Sequence, residues 1–212
     1  MGACCGHSNK QFDGMSKDYR RRLWLVIALN AVMFVVEMTA AQTAGSKALQ
    51  ADALDFFGDA VTYGISLAVI GASLRTRALA ALAKGGSLLL MGLWVAGSTA
   101  YQVFVFGVPQ AVVMGSIGFL ALAVNLASVL LLVRYKDGDA NVRSVWLCSR
   151  NDAIGNVAVM LAAFGVWGTA SAWPDLIVAG LMAALFLSSA VQIFIQAMRE
   201  VRQEPSYAAT GR

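Results

Sequence analysis

The chain has 212 residues, of which 58% are hydrophobic and only 13% charged, and a formal charge of +4; its mean hydropathy is +0.67. Soluble domains average about 25% charged residues, so this composition excludes one and describes an integral membrane protein. Long uninterrupted apolar runs exclude a transmembrane barrel, whose strands alternate. The three cysteines, Cys4, Cys5 and Cys148, provide no disulfide framework.

Residues 1–22 form a polar tail that ends in the basic cluster Arg20, Arg21 and Arg22. No apolar core precedes a cleavage site, so no signal peptide is expected. Gly6 stands where myristoylation requires Ser or Thr. Within the tail, Cys4, Cys5 and His7 bring two thiols and an imidazole close together. Such a set suits a soft or borderline metal, and capture of metal at Cys4, Cys5 and His7 is one expectation. A disordered tail with incidental cysteines is the other.

Six apolar segments follow, at about 23–41, 49–73, 79–106, 110–133, 145–168 and 172–198. Each is near the ~20 residues that cross ~30 Å of hydrocarbon. The predicted fold is an all-α integral membrane protein with six transmembrane helices. If the tail lies inside, fifteen of the sixteen Lys and Arg fall on or near the cytoplasmic side, and only Lys47 falls outside. That asymmetry predicts two cytoplasmic termini. The basic residues lie in loops and set topology, so no nucleic-acid partner is expected. The expected domains are the tail (1–22), the six-helix transmembrane domain (23–198) and a short cytoplasmic tail (199–212).

Polar residues inside the spans carry the functional information, because ionisable groups in hydrocarbon are costly. Segment 1 holds Asn30 and Glu37, seven residues apart and on one face. Glu37 has two readings: it lines an outer vestibule, or it pairs with Lys47. Segment 2 holds Asp52, Asp55 and Asp59, whose spacings of three and four make one acidic stripe that Thr62, Tyr63 and Ser66 prolong. Asp52 lies near the outer edge, with a helix-start or supporting role. Segment 3 has Lys84 and Gln102, with Gly85, Gly86, Gly92 and Gly97 available for close packing. Segment 4 has Asn125. Segment 5 places Cys148, Asp152 and Asn156 at spacings of four, with Arg150 on another face. Asn30, Asn125 and Asn156 either line a path or bond neighbouring helices.

A stripe of three carboxylates must point into the protein or a water-filled cavity. Asp55 and Asp59 are spaced to hold one hard or borderline divalent cation between them. At 1.5 Å per residue they lie roughly 10–15 Å below the outer surface, and Asp152 roughly 10 Å above the inner one. The three can therefore share one site, with Cys148 or an asparagine, Asn151 or Asn156, as a fourth donor. This pattern points to a site for transported metal ions.

The chain resembles a cation diffusion facilitator. The second helix of that family reads S-x-A-L-L-A-D-A-x-[H/D]-x-x-x-D; here Ser46-Lys47-Ala48-Leu49-Gln50-Ala51-Asp52-Ala53-Leu54-Asp55 is followed by Asp59. The family's fifth helix offers an H/D-x-x-x-D pair, and the matching stretch is Cys148-Ser149-Arg150-Asn151-Asp152. The resemblance, over about residues 20–200, implies that Asp55, Asp59 and Asp152 are metal ligands and that the fourth falls at Cys148. A thiolate there would favour Zn(II), Cd(II) or another soft ion.

The resemblance further implies a secondary transporter, not an enzyme, that exports a divalent metal, zinc foremost with cadmium, cobalt and nickel as alternatives, against protons by alternating access. Segments 1, 2, 4 and 5 would surround the site. The cargo metal is the one metal expected, with no prosthetic group. Location in a bacterial inner membrane is expected. Family members usually continue into a ferredoxin-like cytoplasmic domain that holds the dimer; too few residues follow Arg202 for one. A homodimer would then form through membrane helices. Two other classes stay open: a membrane metal sensor or partner subunit that binds without transporting, and a metal-dependent lipid phosphotransferase. The latter matches poorly, because Phe56 replaces the glycine of its D-x-x-D-G motif.

Overall fold

A computed structural model describes residues 16–68, 74–105, 107–137 and 140–209. The fold is all α: α1 (Lys17–Ala44), α2 (Lys47–Ala68), α3 (Leu74–Phe104), α4 (Ala111–Leu132), α5 (Ala140–Thr169) and α6 (Trp173–Ala209). A short 3-10 turn, Val133–Tyr135, extends α4. The predicted segment 2 ran from 49 to 73, whereas α2 starts at Lys47 and its described part ends at Ala68.

Among the described residues, five helices are long and apolar enough to cross a membrane, and α2 is the exception. Its 22 residues rise about 33 Å, which is sufficient length. What it lacks is apolarity, because Asp52, Asp55 and Asp59 interrupt it. Packing compensates: α2 touches α1, α3, α5 and α6.

The distribution of side chains is that of a protein solvated by lipid. Large apolar residues point outward: Trp24 and Val32 on α1, Leu90 and Trp94 on α3, Phe119 and Leu130 on α4, Ile154 and Phe164 on α5, Leu181 and Leu185 on α6. Polar residues point inward: Asn30, Glu37, Asp52, Asp59, Asn125, Ser149 and Asn156 are all buried. Without water in the hydrocarbon, such groups must find partners inside the bundle.

Helix contacts define the architecture. α1 packs on α2 and α4, α4 on α5, and α5 on α2, which closes a ring of four. α3 and α6 pack on each other and flank the ring through α2 and α5. The ring is the grouping of segments 1, 2, 4 and 5 expected from the resemblance. Of the segment 3 glycines, two serve close approach. A Cβ at Gly92 would come within 2.9 Å of Leu187, and one at Gly85 within 3.0 Å of Ile193, both on α6. Gly86 and Gly97 face open space.

Two apolar clusters bracket the polar interior. Tyr19, Leu23, Val26, Tyr63, Leu67, Leu132 and Val145 pack together at one end. Ala41, Ala48, Leu49, Met91, Val159, Met182 and Phe186 pack toward the other. The α1–α2 connection is only Gly45 and Ser46. Gly45 takes the left-handed conformation at φ 70°, and its N–H bonds the Ala41 carbonyl. A residue with a Cβ disfavours that geometry.

Candidate metal site

The position of the site begins with how α2 is started. Ser46 Oγ accepts the Leu49 N–H at 3.0 Å, the bond of an N-cap serine. Asp175, in the first turn of α6, then covers the rest of the terminus. Its carboxylate accepts from Ser46 Oγ at 2.6 Å, from the Lys47 N–H at 2.7 Å and from the Ala48 N–H at 3.0 Å. A carboxylate at a helix N-terminus meets unpaired N–H groups and the positive end of the dipole. Asp52 is therefore not a helix-start residue; Ser46 and Asp175 hold that role. Sequence reading missed Asp175, although an aspartate opening an apolar helix beside a Ser-Lys-Ala helix start was visible.

From this fixed start, Asp55 and Asp59 face α5. The Asp152 carboxyl lies within hydrogen-bonding range of both. Asp59 is buried, while Asp55 and Asp152 are half-buried. Tyr63 Oη donates to Asp59 Oδ2 and lies 3.3 Å from Ser149 Oγ. One Asp152 oxygen, Oδ2, is buried and receives no hydrogen bond. The expected trio is thus brought together. Its oxygens engage one another and Tyr63 rather than a common centre: among the described residues, no three His, Cys, Asp or Glu side chains form a group that holds a metal as it stands. Ligation needs rotation of these side chains and full deprotonation of the carboxyls.

The other candidates divide. Cys148 is half-buried one turn from Asp152; it packs on the cluster that contains Tyr63 and lies in hydrogen-bonding range of the Tyr63 hydroxyl. Lys84 of α3 is close enough for its charge to act on Asp59 and Cys148. Asn151 is exposed, where it accepts from Arg150 Nη2 at 3.3 Å, so it points away from the trio. Arg150 also lies 5.5 Å over the Trp146 ring. Asn30 turns back on its own helix and donates to the Val26 carbonyl at 2.9 Å. Asn156 bonds Asp52 rather than the trio, donating to Asp52 Oδ2 at 2.8 Å. Neither expectation for Glu37 is met: it is fully buried with its carboxyl against Asp52, and Lys47 Nζ instead donates to Gln50 Oε1 at 3.2 Å. Cys4, Cys5 and His7 lie outside the described residues. Tyr63 and Ser149 emerge as partners of the trio; the signal was their spacing, four from Asp59 and three from Asp152.

The chain matches the cation efflux transmembrane domain over residues 23–201. It belongs to the cation efflux family. A curated relative, the zinc transporter ZitB of Yersinia pestis, is 26% identical over 198 residues. The match covers 85% of this chain and 62% of that protein's length. For a cation efflux protein, the convergence of carboxylates from α2 and α5 is the feature on which function is to be argued.

Proposed function

We propose that this protein carries a divalent transition-metal cation, zinc foremost, across a bacterial inner membrane in exchange for protons. Cadmium, cobalt and nickel are the alternative cargoes. The observation that carries the reading is the meeting of Asp55 and Asp59 with Asp152, from helices that enter the bundle from opposite sides, around a buried oxygen that lacks a donor. Membership of the family supports transport, and the relative named as a zinc transporter supports the choice of metal.

The chemistry follows from the donor set. Carboxylates must lose their protons to coordinate a cation, so metal entry releases protons. Clustered carboxylates repel one another when all are ionised, so protons return once the metal leaves. Asp55, Asp59 and Asp152 then serve as ligands and proton carriers by turns. Tyr63 orients Asp59 as an outer partner. Cys148 is the proposed fourth ligand, reached by rotation from its place beside Tyr63. Alternating access opens the ring of α1, α2, α4 and α5 to one side and then the other. The termini are proposed to lie in the cytoplasm, with the metal moving outward and the chain paired with a second copy through its helices in the lipid.

The test is metal uptake into inside-out proteoliposomes that enclose a pH indicator, with the native chain, Asp55→Ala and Cys148→Ser. Metal-driven proton movement that disappears in Asp55→Ala is the expected result. A changed metal preference in Cys148→Ser would assign the thiol to the site. Binding without flux for every metal would replace the transporter with a sensor or partner subunit.

A further inference from the structure

Among the described residues, the metal site leaves the buried ionisable pair Glu37 and Asp52 without a task. Glu37 of α1 is 0% exposed, and neither Oε1 nor Oε2 receives a hydrogen bond. A side chain so placed calls for a donor. The polar group in hydrogen-bonding range is the carboxyl of Asp52, itself 1% exposed. Asp52 in turn ends a directed chain of amides. Asn125 Nδ2 donates to Asn156 Oδ1 at 2.9 Å, and Asn156 Nδ2 donates to Asp52 Oδ2 at 2.8 Å.

That direction decides the ligand. Asp52 Oδ2 accepts the Asn156 amide, which favours Asp52 as the ionised acceptor, whereas Glu37 has no such donor, so the hydrogen between the two carboxyls belongs with Glu37. Two bare carboxylates facing each other in a low-dielectric interior repel strongly. A metal ion would remove the repulsion, but it needs further oxygen donors. The amide that reaches Asp52 presents N–H, and its carbonyl is already taken by Asn125. A proton needs no further ligand.

Among the described residues, the surrounding charges do not supply a substitute. On α2 itself, Asp55 is the further group whose charge reaches Glu37, and it is acidic. Lys84 of α3 acts on Asp59 and Cys148. Asp175 of α6 is engaged at the start of α2. From α4 and α5 the pair is faced by the neutral Asn125 and Asn156.

We propose that Glu37 and Asp52 share one proton and form a proton-binding site distinct from the metal carboxylates, Glu37 carrying the proton and Asp52 accepting it. Asp52 precedes Asp55 by three residues, so the site lies about 4.5 Å further along α2. The inference goes beyond the transport reading and does not depend on it.

Infrared difference spectroscopy on the metal-free protein tests it. At neutral pH the native chain is expected to show the carbonyl stretch of a protonated buried carboxyl. One component of that band is lost in Glu37→Gln, shifts in Asp52→Asn, and persists in the double variant Asp55→Asn with Asp152→Asn, which removes the contribution of the metal carboxyls. The Glu37→Gln change is isosteric and its new amide still offers Asp52 an N–H, so folding is retained; Asp52→Asn gives a second, independent reading. An unchanged band in Glu37→Gln would overturn the proposal, as would a band that disappears only in the double variant. Zinc added to the double variant is expected to leave the band in place; its removal by zinc would make the pair a metal site instead. No transport is needed, so failure here leaves the transport reading standing.

Discussion

The two carboxyl clusters of the bundle sit about one helical turn apart on α2 and differ in access. Asp55 and Asp152 are half-buried, whereas Glu37 and Asp52 are sealed. Their partners differ as well. Hydroxyls of Tyr63 and Ser149 accompany the first cluster, and amides of Asn125 and Asn156 accompany the second. A hydroxyl can turn and can donate or accept, so it follows a carboxylate that must rotate onto a cation. A chain of amides has its direction fixed by its ends. One helix thus carries a cluster suited to exchange and a cluster suited to permanence, and the acidic stripe, taken as a row of residues, does not distinguish them.

Four substitutions test that contrast. Asp152→Ala removes a donor from the exchanging cluster, and zinc affinity by calorimetric titration should fall beyond the roughly 10–100-fold typical of losing an outer partner. Tyr63→Phe removes such an outer partner, and affinity should fall within that roughly 10–100-fold range. Asn156→Leu strands Asp52 without its donor; thermal unfolding in detergent should show a loss of about 1–3 kcal/mol, with zinc affinity little changed. A large loss of affinity in Asn156→Leu would merge the two clusters into one site. Glu37→Gln should alter stability by no more than about 0.5 kcal/mol, because an N–H takes the place of the shared proton.

Much of this fold was legible in hydrophobic runs. A window of some twenty apolar residues has few alternatives to a membrane helix, and the six predicted segments correspond to six helices, five of them apolar enough to span among the described residues. α2 was legible as the functional helix because its aspartates recur at helical spacing. The meeting of Asp55 and Asp59 with Asp152 followed from depth, since rise per residue places them at one level. Partnerships across the α1–α2 turn were not read, although the arithmetic existed. Glu37 stands eight residues before Gly45 and Asp52 six after Ser46, so the two lie at similar depth. Lys47 looked the better partner for Glu37 because opposite charges attract. Burial prevailed: Lys47 stays at the terminus with Gln50, while Glu37 lies two turns below it. Rotation about a helix axis is what hydropathy does not encode, and it separated Asn151, which faces outward, from Asp152 beside it.

The hold of Asp175 on α2 has a mechanical consequence. Three bonds from one carboxylate tie the first turn of α6 to the first turn of α2. On the same side, Gln110 ties the entry of α4 to the end of α1, through its N–H to the Ala44 carbonyl at 2.9 Å and its Nε2 to the Thr43 carbonyl at 3.2 Å. The face is thereby divided into two yoked pairs, α2 with α6 and α1 with α4. Tilting one helix of a pair at that face pulls on its mate, and the left-handed Gly45 of the α1–α2 turn is the covalent link between the pairs.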